Sequence, residues 1–141
     1  MRKILFRAKR LDNGEWVEGY VMIHDHDKAT IFRQHQGDGS LEGFEVNPET
    51  VCQSTGLTDK NGNKIWETDV CQYIESDEYE NEKFVVKYGR HAEMHGINLG
   101  FYTEWLNGWY RSDICFWTEN RDIEVIGNIF DNPELVEGGA E

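Results

Sequence analysis

The 141-residue sequence contains no apolar run approaching the roughly 20 residues that a membrane-spanning helix needs. Its opening, Met1-Arg2-Lys3-Ile4-Leu5-Phe6, lacks the apolar stretch of a signal peptide. Basic residues are few, 14 against 27 acidic, for a formal net charge of −13. The imbalance is uneven: residues 1–50 hold seven basic and nine acidic groups, whereas residues 51–141 hold seven and eighteen. Such a field repels phosphate backbones and disfavours a basic nucleic-acid groove. Arg2, Lys3, Arg7, Lys9 and Arg10 are the exception, and a strand with outward-pointing charges accounts for them. Cys52, Cys71 and Cys115, 19 and 44 positions apart, match no zinc or C-x-x-C pattern and leave one thiol over in any disulfide scheme. They are expected to be reduced core thiols, and the protein to be soluble and cytoplasmic.

A sustained i, i+3, i+4, i+7 apolar period is also missing, so long amphipathic helices are excluded. What is present is a modest hydrophobic content of 38% with 13% aromatic residues and five tryptophans, which bury large areas per residue. Short alternating runs recur about every 8–15 residues between turn signals, the mark of a mostly β chain built as a small open or closed barrel.

The run from Gln53 to Val70 organises the rest. Asp59-Lys60-Asn61-Gly62-Asn63 is turn chemistry flanked by β-favouring residues, and Asn-Gly best tolerates the positive φ of a tight hairpin. Its second arm leads into Val70-Cys71-Gln72-Tyr73-Ile74, a half-buried strand. Asn13-Gly14 predicts a first hairpin between residues 3–9 and 16–23, and Asn107-Gly108 an aromatic hairpin between 101–105 and 109–111. Residues 24–28 read as a polar loop, Phe84 to Tyr88 as a strand, and Gly89 to Gly100 as a loop or short helix. Ile123 to Phe130 reads as the last strand. Asn47-Pro48 and Asn132-Pro133 each give a cap followed by proline, the start of one helical turn.

Residues 55–70 resemble the hallmark of the YopX family of phage and prophage proteins. So do Phe6-Arg7-Ala8-Lys9 with Trp16-Val17-Glu18-Gly19-Tyr20, Asn47-Pro48-Glu49-Thr50-Val51, and Glu124-Val125-Ile126-Gly127-Asn128-Ile129-Phe130-Asp131-Asn132-Pro133-Glu134-Leu135. The blocks follow the family's order from one end of the chain to the other, with the stretches near 24–42 and 75–121 not aligned between them. The resemblance implies a phage- or prophage-encoded intracellular protein that associates with itself. It further implies one domain, with an N-terminal hairpin region (1–50), an SH3-like barrel (51–135) and a frayed tail (136–141). It brings no catalytic residues. Thr68 stands where the family often has glycine, which implies a backbone there not forced to positive φ.

Candidate chemistry is thin. Asp59-x-Asn61-x-Asn63 imitates the start of a calcium loop, but Lys64 replaces the sixth-position glycine and Val70 the twelfth-position glutamate, so the hairpin turn is the better account. His91-Ala92-Glu93-Met94-His95 spaces two histidines as a zinc helix does, yet Glu93 is one place late for a metalloprotease base and no third ligand follows. A loop with two exposed histidines is the simpler reading, and His24 and His26 likewise fit a surface loop. No activated nucleophile or phosphate loop is present, and no cofactor or metal is implied. The aromatic set around Trp105, Trp109 and Tyr110 fits core packing or a protein-contact face. Asp77, Glu78, Glu80 and Glu82 lie in an exposed acidic connection.

Three readings follow. The first is a non-enzymatic β module acting through protein contacts, with a second copy or with a host or phage protein. The second is a metal-dependent hydrolase using His91, Glu93 and His95. The third is an acidic decoy in which Asp77, Glu78, Glu80 and Glu82 mimic phosphates. Asp59, Asn61, Gly62, Asn107 and Gly108 are structural turn residues in all three.

Overall fold

The computed structural model describes residues 4–25, 27–35, 37–73, 82–93, 96–108, 112–114 and 123–137. The chain is mostly β, its strands forming two antiparallel sheets, and it divides into two compact units, Met1–Ser54 and Thr55–Glu141.

In the first unit β1 (Phe6–Lys9) pairs antiparallel with β2 (Trp16–Asp25), Ala8 opposite Val17. The Asn13-Gly14 turn joins them. Gly14 takes φ +73°, and Asn13 Oδ1 accepts the Glu15 N–H at 2.9 Å, so a side chain caps the turn. β3 (Lys28–Gln34) and β4 (Leu41–Val46) follow, giving the order β4-β3-β2-β1, with the first residues of β5 (Cys52–Thr58) beside β1. Alternation puts Ala8, Val17, Ala29, Ile31 and Val46 inside, with Phe6, Val21, Phe44 and Val51 packed against them. The polar loop expected over 24–28 is shorter than that. Cross-strand pairing runs from Tyr20↔Phe32 to Asp25↔Lys28, so β2 continues through His24, whose Nε2 lies 2.9 Å from Thr30 Oγ1.

Asn47 caps the single 3-10 turn Pro48–Thr50 by accepting the Glu49 N–H at 3.0 Å. The turn leaves Thr50 to accept the Lys9 N–H at 2.9 Å, tying it to β1.

In the second unit β5 ends and β6 (Lys64–Trp66) returns beside it. A five-stranded antiparallel sheet follows in the order β10-β9-β8-β7-β11, from β7 (Asp69–Tyr73), β8 (Lys83–Glu93), β9 (Gly96–Trp105), β10 (Ser112–Asp113) and β11 (Ile123–Asn128). The helix α1 (Glu134–Glu137) is a single turn. Ile65, Cys71, Tyr73, Phe84, Val86, Trp105, Ile114 and Ile123 form the core. Cys52 and Cys71 are fully buried thiols outside any disulfide; burial, then the charges of Asp69 and Asp59, push the Cys71 thiol well above its ordinary value. Cys115 and Ile74 lie outside the described residues.

Two sequence expectations are corrected here. Residues 89–93 and 96–100 are neither loop nor helix but the outer part of the β8–β9 hairpin, paired without a bulge from Phe84↔Trp105 to Glu93↔Gly96. Three glycines mask the alternation there, and cross-strand hydrogen bonding supplies what local propensity does not. The last strand ends at Asn128, not Phe130, because Asn128 Oδ1 accepts the N–H groups of Phe130 (3.0 Å) and Asp131 (2.9 Å) and turns the chain.

Candidate functional site

The hairpin turn at 59–63 is built on one carboxylate. Asp59 Oδ1 accepts the N–H groups of Asn61 and Asn63, both at 2.9 Å, while Gly62 N–H donates to Asp59 O at 3.0 Å with φ +83° at Gly62. Asp59 Oδ2 accepts the Val125 N–H at 3.0 Å, reaching β11, and Asn61 Nδ2 donates to Glu124 Oε2 at 3.1 Å. Burial opposes the charge, but the Val125, Asn63 and Asn61 N–H donors outweigh it and hold the carboxyl below its ordinary value. The two Asp59 oxygens that a calcium loop would offer a cation are thus occupied by the chain's own amides.

Beyond the hairpin, Asp69 is buried and its Oδ2 accepts the Trp66 N–H at 2.8 Å, closing the link between β6 and β7. Thr68 between them has φ +77°, which corrects the expectation of an ordinary backbone. A β-branched residue is strained there, and its neighbours enforce the strain. Thr68 N–H donates to Val86 O at 2.8 Å, and Thr68 O accepts the Ile129 N–H at 3.2 Å. This constellation is structural: it joins the hairpin, β8 and the end of β11.

The other candidates fall in different places. Asn107-Gly108 forms a turn after β9, with Gly108 at φ +89° and its N–H donating to Trp105 O at 3.2 Å. Trp105 is 4% exposed and packs on Phe84, centroids 4.8 Å apart, so its ring belongs to the core and is no contact face. Trp109 and Tyr110 lie outside the described residues. His91 is not in an exposed loop: it sits on β8, 3% exposed, stacked on Tyr102 at 4.6 Å, its Nδ1 3.2 Å from Gly89 O. A strand does not give the one-face spacing of a zinc helix. His95 and the Glu93 side chain lie outside the described residues, as do His26, Asp77, Glu78 and Glu80. Glu82 is partly buried, and its carbonyl accepts the Tyr73 N–H at 3.0 Å, where the acidic connection rejoins the sheet. Among the described residues no three His, Cys, Asp or Glu side chains gather as metal ligands, and no helix is long and apolar enough to cross a membrane.

Of the basic residues at the start, Arg7 and Lys9 spread over Trp16, at 4.3 and 5.4 Å from its ring centroid, while Arg10 pairs with Asp12 at 2.6 Å. Sequence reading missed an apolar face on the β8–β9 ribbon. Tyr88, Ile97 and Leu99 are 50%, 71% and 69% exposed and share it by register, Tyr88 opposite Phe101, Arg90 opposite Leu99 and Ala92 opposite Ile97. The Ile97-x-Leu99-x-Phe101 alternation was the signal available for it.

The family model described as YopX protein matches residues 5–137. The chain belongs to the YopX family. The crystal structure of protein EF1440 from Enterococcus faecalis is similar to this YopX-family chain with a TM-score of 0.57 and 25% identity, covering 96% of this chain and 99% of that one. A comparison with curated proteins returned no match. The family block at 55–70 is the Asp59–Thr68–Asp69 constellation, so what the resemblance picks out there is the frame of the second unit.

Proposed function

We propose that this YopX-family chain is a phage- or prophage-encoded cytoplasmic protein without catalytic activity, working through protein contacts and first of all with further copies of itself. The observation that carries the reading is the exposed apolar face of Tyr88, Ile97 and Leu99 on a chain of net charge −13. Large apolar side chains clustered in water favour a protein partner. The acidic balance favours a protein over a nucleic acid, and Arg7 and Lys9 are already engaged with Trp16. Within the same reading the second unit is an SH3-like barrel; the five-stranded antiparallel sheet and the bulge between Val125 and Gly127 in β11 support it. Trp109 and Tyr110 are further contact residues, and a host or phage protein is the alternative partner.

Light scattering with size separation across the micromolar range tests this, with a gel-shift assay on duplex DNA at low salt beside it. Association beyond the monomer without DNA retardation is the expected outcome. A strict monomer that retards DNA overturns the proposal.

A further inference from the structure

Among the described residues, two outer strands are met in part on their open edge from within the chain. On β4, Arg10 bridges Val46 and the Leu11 N–H donates to Glu45 O at 3.0 Å. On β11 the hairpin turn does the same, Lys60 N–H donating to Ile123 O at 3.0 Å and Val125 N–H to Asp59 Oδ2 at 3.0 Å. β9 differs. Its neighbour β10 covers it only at Thr103 and Tyr102, so residues 96–101 have no strand beyond them among the described residues.

That edge lacks the usual defences against pairing. Natural sheets guard open edges with lysine, proline, a bulge or an inward charge. Residues 96–103 contain no proline, carboxylate or basic group, and their register with β8 has no bulge. In a chain of net charge −13 two copies repel each other over most of their surfaces, and an uncharged strand is where they can approach. The order Gly96-Ile97-Asn98-Leu99-Gly100 is also nearly palindromic. About a two-fold axis at residue 98, an antiparallel pair sets position 97 of one copy opposite position 99 of the other, and glycine opposite glycine. Apolar thus meets apolar twice, as an isologous interface requires.

We propose that residues 96–101 of β9 are the edge on which a second copy of this chain pairs, antiparallel about a two-fold axis at Asn98, with Ile97 and Leu99 as its apolar contacts. This rests on the self-association reading and gives it a surface. The pairing extends the second unit's sheet across two copies by backbone hydrogen bonds, and side chains fix the register.

Sedimentation of the full chain and its variants tests the proposal. Both side chains are about 70% exposed, so the substitutions leave the core untouched, and circular dichroism checks the fold. Leu99→Glu places two carboxylates across the axis and is expected to weaken association at least about tenfold. The double variant Ile97→Lys with Leu99→Glu sets opposite charges against each other twice, and association returns in a salt-sensitive form. Hydrogen exchange on the parent chain gives an independent readout: amides of 96–101 become protected as concentration rises. If the parent associates but Leu99→Glu assembles unchanged and these amides exchange alike at all concentrations, this edge is wrong and self-association stands. If the double variant stays dissociated, the two-fold register is wrong. A parent chain that never leaves the monomer overturns the edge and the self-association reading together.

Discussion

Asp59 Oδ2 accepts the backbone N–H of Val125 at 3.0 Å, across 66 positions of sequence. The same carboxylate closes its own turn, so one side chain ties the central hairpin to the last strand. Asp59 itself is buried, so its charge can be removed only at the cost of amides it now satisfies.

Replacing Asp59 with asparagine is therefore expected to lower stability by about 2 kcal/mol, because one acceptor oxygen becomes an NH2 group facing an N–H donor. The effect depends on pH. The folded-state pKa of Asp59 is depressed, so its contribution is fully present above the ordinary aspartate value of about 3.9 and is lost as pH falls through the folded value. Urea unfolding of parent and Asp59→Asn between neutral and acid pH measures this, and the gap between the two must narrow on the acid side. A constant gap would show that the carboxylate charge is not what holds the turn.

Thr68→Gly is expected to raise the melting temperature. A β-branched residue at φ +77° carries about 1–2 kcal/mol of strain, against about 0.4–1 kcal/mol for the extra unfolded-state freedom of glycine. The net gain lies between about 0 and 1.6 kcal/mol. Thr68→Ala keeps a Cβ and should bring no such gain, which separates backbone strain from loss of the hydroxyl.

How much of this was legible in sequence depended on whether the signal was local. Asn13-Gly14, Asn61-Gly62 and Asn47-Pro48 announce turns and a cap because their chemistry is complete within five residues, and the strands around them follow. The β8–β9 ribbon was not legible beyond Tyr88, since Gly89, Gly96 and Gly100 remove the side chains that would have shown alternation. The Asp59 turn could be read, but its bond to Val125 could not, because nothing at position 125 marks a backbone N–H as a carboxylate's partner. Thr68 was misread for a related reason: the residue type argued for negative φ, and its hydrogen bonds, donated to Val86 O and accepted from the Ile129 N–H, decided otherwise. For the candidate site the outcome was similar. Trp105 fitted core packing or a contact face by type, and only tertiary packing on Phe84 assigns it to the core.

Gly62→Val tests the hairpin by itself. A Cβ at this position meets no atom within 4 Å, so the φ of +83° rather than contact at Cβ opposes the change. The expected loss is at least about 1 kcal/mol, read as a lower denaturation midpoint with an unchanged slope. Gly62→Asn, which tolerates this region, should recover most of it.

Gly19 presents the opposite case, in which space rather than φ decides. It sits mid-strand on β2 opposite Phe6, a place where glycine weakens a strand unless another backbone comes close. One does: a Cβ built on Gly19 would run into the carbonyl oxygen of Phe32 and lie 3.0 Å from Ile31 Cγ2. A carbonyl in a ladder cannot swing aside as a side chain would, so β2 and β3 must separate there, next to buried Val17 and Ile31. Overpacking of this kind typically costs about 1–3 kcal/mol, and contact with backbone places Gly19→Ala at the upper end. The loss belongs to the first unit. Hydrogen exchange should therefore show faster opening of amides in β1 to β4, with those of β7 and β8 least affected, and an alanine variant as stable as the parent would mean that the Phe32 carbonyl does not crowd this position.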